Sequence, residues 1–220
     1  MKLLLTSAGL KNKTLTKALL DMVGKPAEEI NIAFIPTAMN PTGTDKTWFI
    51  DNLYELRQQK YKLIDIVDIS ALPKWNWQPR LENADVLFFS GGTTTHLMYW
   101  VEKSGLKELL PELLKTKVWI GVSAGSIITS PTLVLSDRNK VFWYKEKFGY
   151  EAKAGLGLVD FYICPHLNSP NHLKRRKELI AEAGREISQI VYAIDDQMAV
   201  KVINGKVEVI GEGEYIVFNK

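Results

Sequence analysis

The sequence predicts an α/β fold in which a mostly parallel β-sheet is covered by helices on both faces. Short apolar runs rich in β-branched residues alternate along the chain with longer runs of helical spacing, a pattern typical of parallel sheets. The C-terminal part instead contains strand-like runs joined by Asn204-Gly205, a turn signal that predicts an antiparallel β-hairpin. Hydrophobic residues make up 46% and charged residues 24% of the chain, as in soluble globular domains.

The predicted elements follow one another in order along the chain. The predicted strands are Leu3–Leu5, Ile30–Ile35, Leu63–Val67, Val86–Phe89, Val118–Gly121, Phe161–Cys164, Tyr192–Ile194, Met198–Ile203 and Val207–Ile210. The predicted helices are Thr14–Val23, Lys46–Gln59, Thr95–Leu114 and His172–Ile187. The segment Pro73–Pro79 carries two tryptophans, which a linker would not normally have, and is predicted to be a packed surface loop. With 220 residues and no linker, the chain is expected to form one domain, residues 1–220.

Charge and cysteine content limit the cellular compartment and the classes of binding partner that we expect. The net charge of +3 is small, and the basic run Lys174–Lys177 lies in a helix-like stretch without the aromatic residues that stack on bases. A solvated helix face is therefore expected there, with no nucleic-acid partner. A single cysteine, Cys164, excludes an intramolecular disulfide, and no apolar run reaches membrane-spanning length. The polar turn after Leu5 comes too early for a signal peptide, so we expect a cytoplasmic protein with no membrane partner.

A nucleophile elbow is predicted at residues 121–125, which read Gly-Val-Ser-Ala-Gly. These residues follow an apolar strand and precede a segment that can start a helix, as Gly-x-Ser-x-Gly requires. Small flanking residues let the strand and the helix approach each other while the serine hydroxyl is held out toward a substrate. The pattern predicts Ser123 as a nucleophile, the alternative being a chance glycine-rich turn.

A serine hydroxyl is a weak nucleophile and needs a base within hydrogen-bond reach. Of the three histidines, His166 follows a predicted strand, at the end where ligands bind in open α/β sheets. His96 and His172 lie near the starts of predicted helices, where surface or capping roles are common. His166 is therefore the predicted general base.

The base in turn needs an orienting acid. Asp195 and Asp196 follow the strand-like run Tyr192–Ile194, and Asp137 lies in the loop after the elbow helix. Paired aspartates in a turn also cap the local backbone. The residues alone leave the choice among the three open.

A glycine turn follows the strand Val86–Phe89 at Ser90-Gly91-Gly92. Such a turn leaves backbone N–H groups free to bind an anion. In a serine hydrolase that anion is the tetrahedral oxyanion, which the N–H groups of Gly92 and Ala124 are predicted to hold. A phosphate-binding loop is the rival, but the Walker lysine and the full Gly-x-Gly-x-x-Gly spacing are missing.

A thiol nucleophile and a metal centre are the alternatives to a serine centre. Cys164 shares one strand face with His166, yet a thiol within a strand has no elbow to expose it, and buried cysteine is usually core. No pair of histidines has zinc-ligand spacing and no carboxylate cluster resembles a calcium loop. No metal and no cofactor is expected.

Together these motifs resemble the peptidase E (aspartyl dipeptidase) family of serine peptidases, whose relatives include cyanophycinase. The resemblance covers nearly the whole chain. It depends on Phe89–Gly92, on Gly121–Ser126, on Pro165-His166 after a strand and on the terminal acid and hairpin. It implies a flavodoxin-like three-layer α/β sandwich, similar to class I glutamine amidotransferases.

The resemblance also implies roles for single residues. Ser123 would be the nucleophile and His166 the base, and Asp196 stands where relatives have a carboxylate, often glutamate. Because aspartate is one methylene shorter, Asp195 and Asp137 stay alternatives. Aspartyl dipeptidases grip the substrate's aspartate with an arginine shortly after the histidine, and Arg175 and Arg176 are the candidates here.

The expected function is that of a serine peptidase of the dipeptidase type, which hydrolyses short peptides through an acyl-enzyme, including peptides with an N-terminal aspartate. The alternatives are a related amidase or esterase with another substrate, and a non-catalytic flavodoxin-like module that binds an anion. The expected partner is a small peptide substrate, and the expected state is a monomer or a homodimer.

Overall fold

A computed structural model describes residues 1–136, 138–152, 154–184 and 187–219. Its strands are β1 Lys2–Thr6, β2 Asn31–Ile35, β3 Leu63–Ile66, β4 Val86–Phe89, β5 Val118–Val122, β6 Tyr162–Pro165, β7 Val191–Ile194, β8 Met198–Ile203, β9 Lys206–Gly211 and β10 Tyr215–Phe218. Its α-helices are α1 Lys13–Val23, α2 Thr47–Gln58, α3 Lys74–Asn83, α4 Thr94–Lys103, α5 Leu106–Leu113, α6 Ala124–Ile127, α7 Arg138–Phe148 and α8 Lys177–Gly184. Short 3-10 helices lie at Ala27–Glu29, Thr37–Met39 and Leu173–Arg175.

The main sheet has seven strands within the described ranges, in the order β3-β2-β4-β5-β1-β8-β9. The first five are parallel, and β8 and β9 are antiparallel. Successive residues of β1 alternate between two apolar clusters, since Leu3 and Leu5 belong to one and Leu4 to the other. Both faces of the sheet are therefore buried, and the predicted three-layer α/β fold is confirmed.

The C-terminal hairpin is confirmed at its turn as well. Ile203 of β8 pairs with Lys206 of β9, which leaves Asn204 and Gly205 as a two-residue loop. Both loop residues have positive φ, 50° and 83°, the geometry that asparagine and glycine tolerate best. The local sequence therefore decides this register.

A second, smaller sheet was not predicted. It has the order β10-β7-β6, with β6 parallel to β7 and β10 antiparallel to it. The runs around Phe161–Cys164 and Tyr192–Ile194 are strands as predicted, but they lie in this sheet rather than in the main one. Strand β10 and helix α7 were not expected from the sequence.

Three predicted elements differ from the structure. Residues 73–79 are not a loop, because α3 begins at Lys74 and buries Trp77 and Leu81, four residues apart, despite Pro79. The predicted helix Thr95–Leu114 is two helices, since Gly105 between them has a left-handed backbone (φ 78°). The predicted helix His172–Ile187 is a 3-10 turn followed by α8, separated by the extended Arg176. Within the described ranges, no helix has the length and apolar character needed to span a bilayer.

The junction of β5 and α6 is packed backbone against backbone. A Cβ atom at Gly121 would lie 2.5 Å from the backbone of Gly125, and one at Gly125 would lie 2.3 Å from the carbonyl oxygen of Phe89. Strand and helix therefore meet more closely than any side chain allows. The two glycines of the predicted elbow are steric requirements of the fold.

We predict that Gly121→Ala lowers the free energy of unfolding by about 1 to 3 kcal/mol or more, because the added methyl group must displace backbone. Urea unfolding of the variant beside the native protein measures the change. Gly43→Ala is the matched control, since a Cβ there meets nothing within 4 Å. Equal midpoints of urea unfolding for Gly121→Ala and Gly43→Ala would contradict the prediction.

Candidate active site

Ser123 lies at the turn between β5 and α6 with an unusual backbone, φ 47° and ψ −101°. Positive φ is uncommon for a residue with a Cβ atom and is found where surrounding structure enforces it. Here the N–H of Ser123 donates to the carbonyl oxygen of Thr6 (3.1 Å), and its own carbonyl accepts from Ser126 (3.0 Å) and Ile127 (2.9 Å). The side chain is left free of these backbone bonds and lines a groove at the carboxyl ends of the strands.

His166 is the residue that approaches the Ser123 hydroxyl. It follows β6 with a left-handed backbone (φ 67°), and its Nε2 lies 2.9 Å from Ser123 Oγ. Its Nδ1 lies 2.6 Å from Oδ1 of Asp196. A carboxylate only accepts, so Nδ1 carries the proton and Nε2 is free to accept from the serine hydroxyl.

The parallel pairing of β6 and β7 brings His166 and Asp196 together. The two strands end side by side, with Pro165 opposite Ile194, and the N–H of Leu167 donates to the carbonyl of Ile194 (3.0 Å). His166 and Asp196 therefore each follow a strand end of the same small sheet. The carboxyl ends of parallel strands meet at one edge, so residues distant in sequence converge there.

The three candidate acids have different positions. Asp196 accepts from His166, while Asp195 accepts from the N–H group of Gln197 in its own turn (2.8 Å) and from that of Glu214, which precedes β10 (2.6 Å). Asp137 lies outside the described residues. Among the acids that the structure describes, Asp196 is the one beside the imidazole.

The carboxylate of Asp196 is held in its charged form. Burial by itself would raise its pKa, but hydrogen bonds from His166, Ser7 and Ser169, together with attraction to a protonated imidazole, bring the pKa down to about 2. The group therefore stays ionised at neutral pH and can stabilise positive charge on the imidazole.

Ser7 and Ser169 are site residues that sequence reasoning missed. The hydroxyl of Ser7, directly after β1, donates to Asp196 Oδ1 (2.9 Å) and accepts from the backbone N–H of His166 (2.9 Å). Ser169 contributes a further hydrogen bond to Asp196. The only available signal was the place of Ser7 at the carboxyl end of a strand, a property it shares with many polar residues.

The glycine turn lies against Ser123. A Cβ at Gly91 would be 3.6 Å from the Cβ of Ser123 and 3.4 Å from the indole of Trp48. Gly92 has φ 137°, and a Cβ there would be 2.2 Å from the carbonyl oxygen of Ala38. Ala124 is the first residue of α6. Of the two predicted oxyanion-binding residues, Ala124 directly follows Ser123, and Gly92 lies in the turn whose Gly91 is beside Ser123.

The other two histidines have different surroundings. His96 is buried, and its Nδ1 lies 2.8 Å from the hydroxyl of Tyr144. Burial lowers the pKa of His96 to about 4, against an opposing attraction from Asp68. His172 lines the groove, where its ring stacks on His166 at 3.9 Å between centroids and 4° between planes.

Arg175 and Arg176 point to different neighbours. Arg175 lines the groove and donates from Nη1 to Sγ of Cys164 (3.2 Å), whereas Nη1 of Arg176 donates to the carbonyl of Asn168 (3.1 Å). The prediction that this basic run lies on one helix is wrong, since Arg175 ends a 3-10 turn and Arg176 is extended. Burial raises the pKa of the Cys164 thiol despite the nearby guanidinium, so the thiol stays protonated.

The groove has a volume of about 1470 Å³, and Ser123, His166, Asp196 and Arg175 all line it. Within the described part of the chain, no group of three or more His, Cys, Asp or Glu side chains is arranged to hold a metal ion. The groove holds a hydroxyl, an imidazole and a carboxylate joined in series beside a glycine turn.

Comparison with known proteins identifies the family. The family model described as Peptidase family S51 matches residues 3–210. The chain belongs to peptidase family S51. Within the family, an uncharacterized peptidase of Listeria monocytogenes serovar 1/2a is 30% identical over 206 residues, which cover 90% of this chain and 96% of the relative. The protein named Peptidase E of Streptomyces coelicolor is 31% identical over 93 residues, or 42% of this chain and 36% of that protein.

Solved structures agree with the S51 fold. A candidate peptidase E protein of L. monocytogenes EGD-e superposes with a TM-score of 0.78 at 23% identity, covering 96% of this chain and 98% of that one. A peptidase from an acI-B1 Actinobacterium gives a TM-score of 0.61 at 20% identity, covering 99% and 96%. The S51 chain is thus a peptidase E-like hydrolase, rather than a non-catalytic anion-binding module.

The buried His96 leads to a pH prediction. The folded S51 chain keeps His96 neutral down to about pH 4, while the unfolded chain takes up this proton near the ordinary histidine pKa of about 6.5. We therefore expect the free energy of unfolding to fall as the pH drops from about 6.5 to about 4, by up to about 1.4 kcal/mol per unit from this group. Urea unfolding across that range measures the slope. In a His96→Gln variant the free energy of unfolding should depend less steeply on pH, and a slope equal to that of the native protein would contradict the prediction.

Proposed function

We propose that this S51 peptidase hydrolyses short peptides through an acyl-enzyme, with Ser123 as nucleophile, His166 as general base and Asp196 as the acid that orients the base. The observation that carries the proposal is the continuous series of contacts from Ser123 Oγ to His166 Nε2 (2.9 Å) and from His166 Nδ1 to Asp196 Oδ1 (2.6 Å). Both distances lie within the hydrogen-bond range that proton transfer requires.

In the acylation step, Ser123 Oγ attacks the carbonyl carbon of the scissile peptide bond as Nε2 of His166 accepts the hydroxyl proton. The resulting imidazolium then donates that proton to the leaving amine. A water molecule, activated by the same imidazole, attacks the ester in the second half of the reaction. The proton returns to Ser123 as the acid product leaves.

The tetrahedral intermediate in each half carries a negative oxygen. The N–H groups of Gly92 and Ala124 support it in this proposal, because Ala124 directly follows Ser123 and the glycine turn at Gly91 lies beside the Ser123 side chain. Donors already fixed in a turn stabilise a developing oxyanion without reorganising.

Asp196 has two roles in the proposal. Its carboxylate holds the imidazole in the tautomer with the proton on Nδ1, and it stabilises the imidazolium that forms during proton transfer. The low pKa of Asp196, about 2, supports this, because the group stays negative at neutral pH.

We also propose that the substrate carries an N-terminal aspartate and that Arg175 binds its side chain. Arg175 lines the groove, whereas the guanidinium of Arg176 is bonded to the Asn168 carbonyl. A guanidinium offers five donors in a planar fork, and the Cys164 contact uses one of them. Donors therefore remain for a bidentate contact with a carboxylate.

We predict that Ser123→Ala lowers kcat for dipeptide hydrolysis by a factor of about 10³ or more, because the hydroxyl that forms the acyl-enzyme is removed. Alanine suits the same tight turn, so the fold should be retained by circular dichroism. A fluorophosphonate probe should label the native protein at Ser123 by mass spectrometry and should leave both the variant and the heat-unfolded native protein unlabelled. Substantial turnover by the variant would refute the proposed nucleophile.

We predict that Arg175→Ala removes the preference for Asp-Leu over Ala-Leu, since the substrate carboxylate would lose its charged partner. The loss of discrimination in kcat/KM should correspond to about 2 to 5 kcal/mol. Arg176→Ala is the matched control and should keep the native preference. If the native enzyme cleaves both dipeptides equally well, the aspartyl specificity is wrong while the proposed nucleophile stands.

A further inference from the structure

Ser7 occupies one of the most constrained positions in the fold. It follows β1, which pairs with β5 on one side and β8 on the other, so that Thr6 lies between Val122 and Ala199. The N–H of Ser7 donates to the carbonyl of Met198 (3.3 Å), and the residue is fully buried. Its hydroxyl is therefore held by the main sheet.

The proposed catalytic groups come from two different sheets. Ser123 follows β5 of the main sheet, whereas His166 and Asp196 follow β6 and β7 of the small sheet. The distance between nucleophile and base thus depends on how the two sheets are fixed to each other at this edge. A side chain that bonds across the junction can set that distance.

The Ser7 hydroxyl bonds across this junction both as a donor and as an acceptor. It donates to Asp196 Oδ1 (2.9 Å), accepts from the N–H of His166 (2.9 Å) and lies 3.4 Å from His166 Nδ1. A hydroxyl has one proton, and a carboxylate can only accept, so the direction of each bond is determined. Oδ1, the oxygen that Ser7 binds, is also the oxygen that contacts the imidazole.

The backbone of His166 needs this support. Its φ of 67° lies in the left-handed region, which disfavours residues with a Cβ atom and persists where neighbouring structure holds it. The bond from its N–H to Ser7 fixes the backbone from which the imidazole projects. Ser7 therefore bonds the backbone of the base and the carboxylate of the acid through one oxygen atom.

We propose that Ser7 is a positioning residue for hydrolysis, one that holds His166 and Asp196 in register with Ser123. The inference is based on the proposed function, since it assigns Ser7 a role in the same site. Ser7 does not transfer a proton to the substrate. It acts through Asp196 and His166, so its removal loosens the base without removing any reacting group.

We predict that Ser7→Ala lowers kcat by about 10- to 100-fold, because small misplacement of a catalytic group is costly, and leaves KM within about twofold. The substrate is whichever member of a dipeptide panel the native enzyme cleaves best. The rate of fluorophosphonate labelling at Ser123 should fall in parallel, which reports on the nucleophile independently of peptide binding. Ser7→Cys, with a similar volume and a weaker donor, should be intermediate.

Two comparisons separate positioning from a merely structural role. Ser130→Ala is the matched control, because Ser130 is also buried and accepts from a backbone N–H of β6, that of Ile163 (3.4 Å), and it should keep the native kcat. In an Asp196→Asn background, Ser7→Ala should lower kcat by less than about threefold more, since residues that act as a unit are not additive.

Retention of kcat within twofold in Ser7→Ala, or equal losses in the native and Asp196→Asn backgrounds, would overturn the role of Ser7. If Ser7→Ala does not fold, Ser7→Cys decides, and unchanged kcat in that variant would likewise overturn it. Full hydrolysis by Ser123→Ala is a different result, because it removes the proposed function itself. An inactive Ser123→Ala beside a fully active Ser7→Ala refutes only the inference about Ser7.

Discussion

The abrupt passage from β5 into α6 at Ser123 is the constraint on which the rest of the site depends. Strand and helix meet there without an intervening loop, and the backbone of Ser123 takes a positive φ to make the turn. Gly121 and Gly125 permit the contact because a methyl group at either would overlap backbone atoms. The strained turn and the close packing therefore place the Ser123 hydroxyl at the carboxyl edge of the sheet. The backbone of the turn, and not the rotamer of the side chain alone, fixes the direction in which this hydroxyl points.

A second layer of organisation comes from the small sheet. Its parallel strands β6 and β7 end beside each other, and the chain leaves them through His166 and Asp196. Ser123 thus belongs to one hydrogen-bonded sheet, and His166 and Asp196 follow strands of the other. The distance between these groups therefore depends on how the two sheets pack against each other. Buried hydroxyl groups such as those of Ser7 and Ser169 lie at this junction, where their hydrogen bonds can fix that packing.

Environment distinguishes residues of the same type in this chain. His96 and His166 are both histidines near a glycine turn or a strand end, but His96 is enclosed by aromatic rings that disfavour its charged form. Asp195 and Asp196 are adjacent, yet their carboxylates have different partners. That of Asp195 accepts from the backbone N–H groups of Gln197 and Glu214, and that of Asp196 faces the imidazole of His166. The chemistry available to each group is set by its hydrogen-bond partners and its burial, more than by its identity.

The sequence by itself determined what depends on neighbours along the chain. Alternating apolar runs predicted the α/β layers, Asn204-Gly205 predicted the hairpin, and Gly-Val-Ser-Ala-Gly pointed to Ser123, because each signal acts within a few residues. Only the tertiary structure decided the second sheet, the helix that retains Pro79 while burying Trp77, and the choice of Asp196 beside His166. Ser7 is the clearest case, since its hydroxyl contacts a residue 159 positions away and another 189 positions away. Contacts between residues so far apart in sequence arise from strand pairing and packing, and local sequence patterns do not predict them.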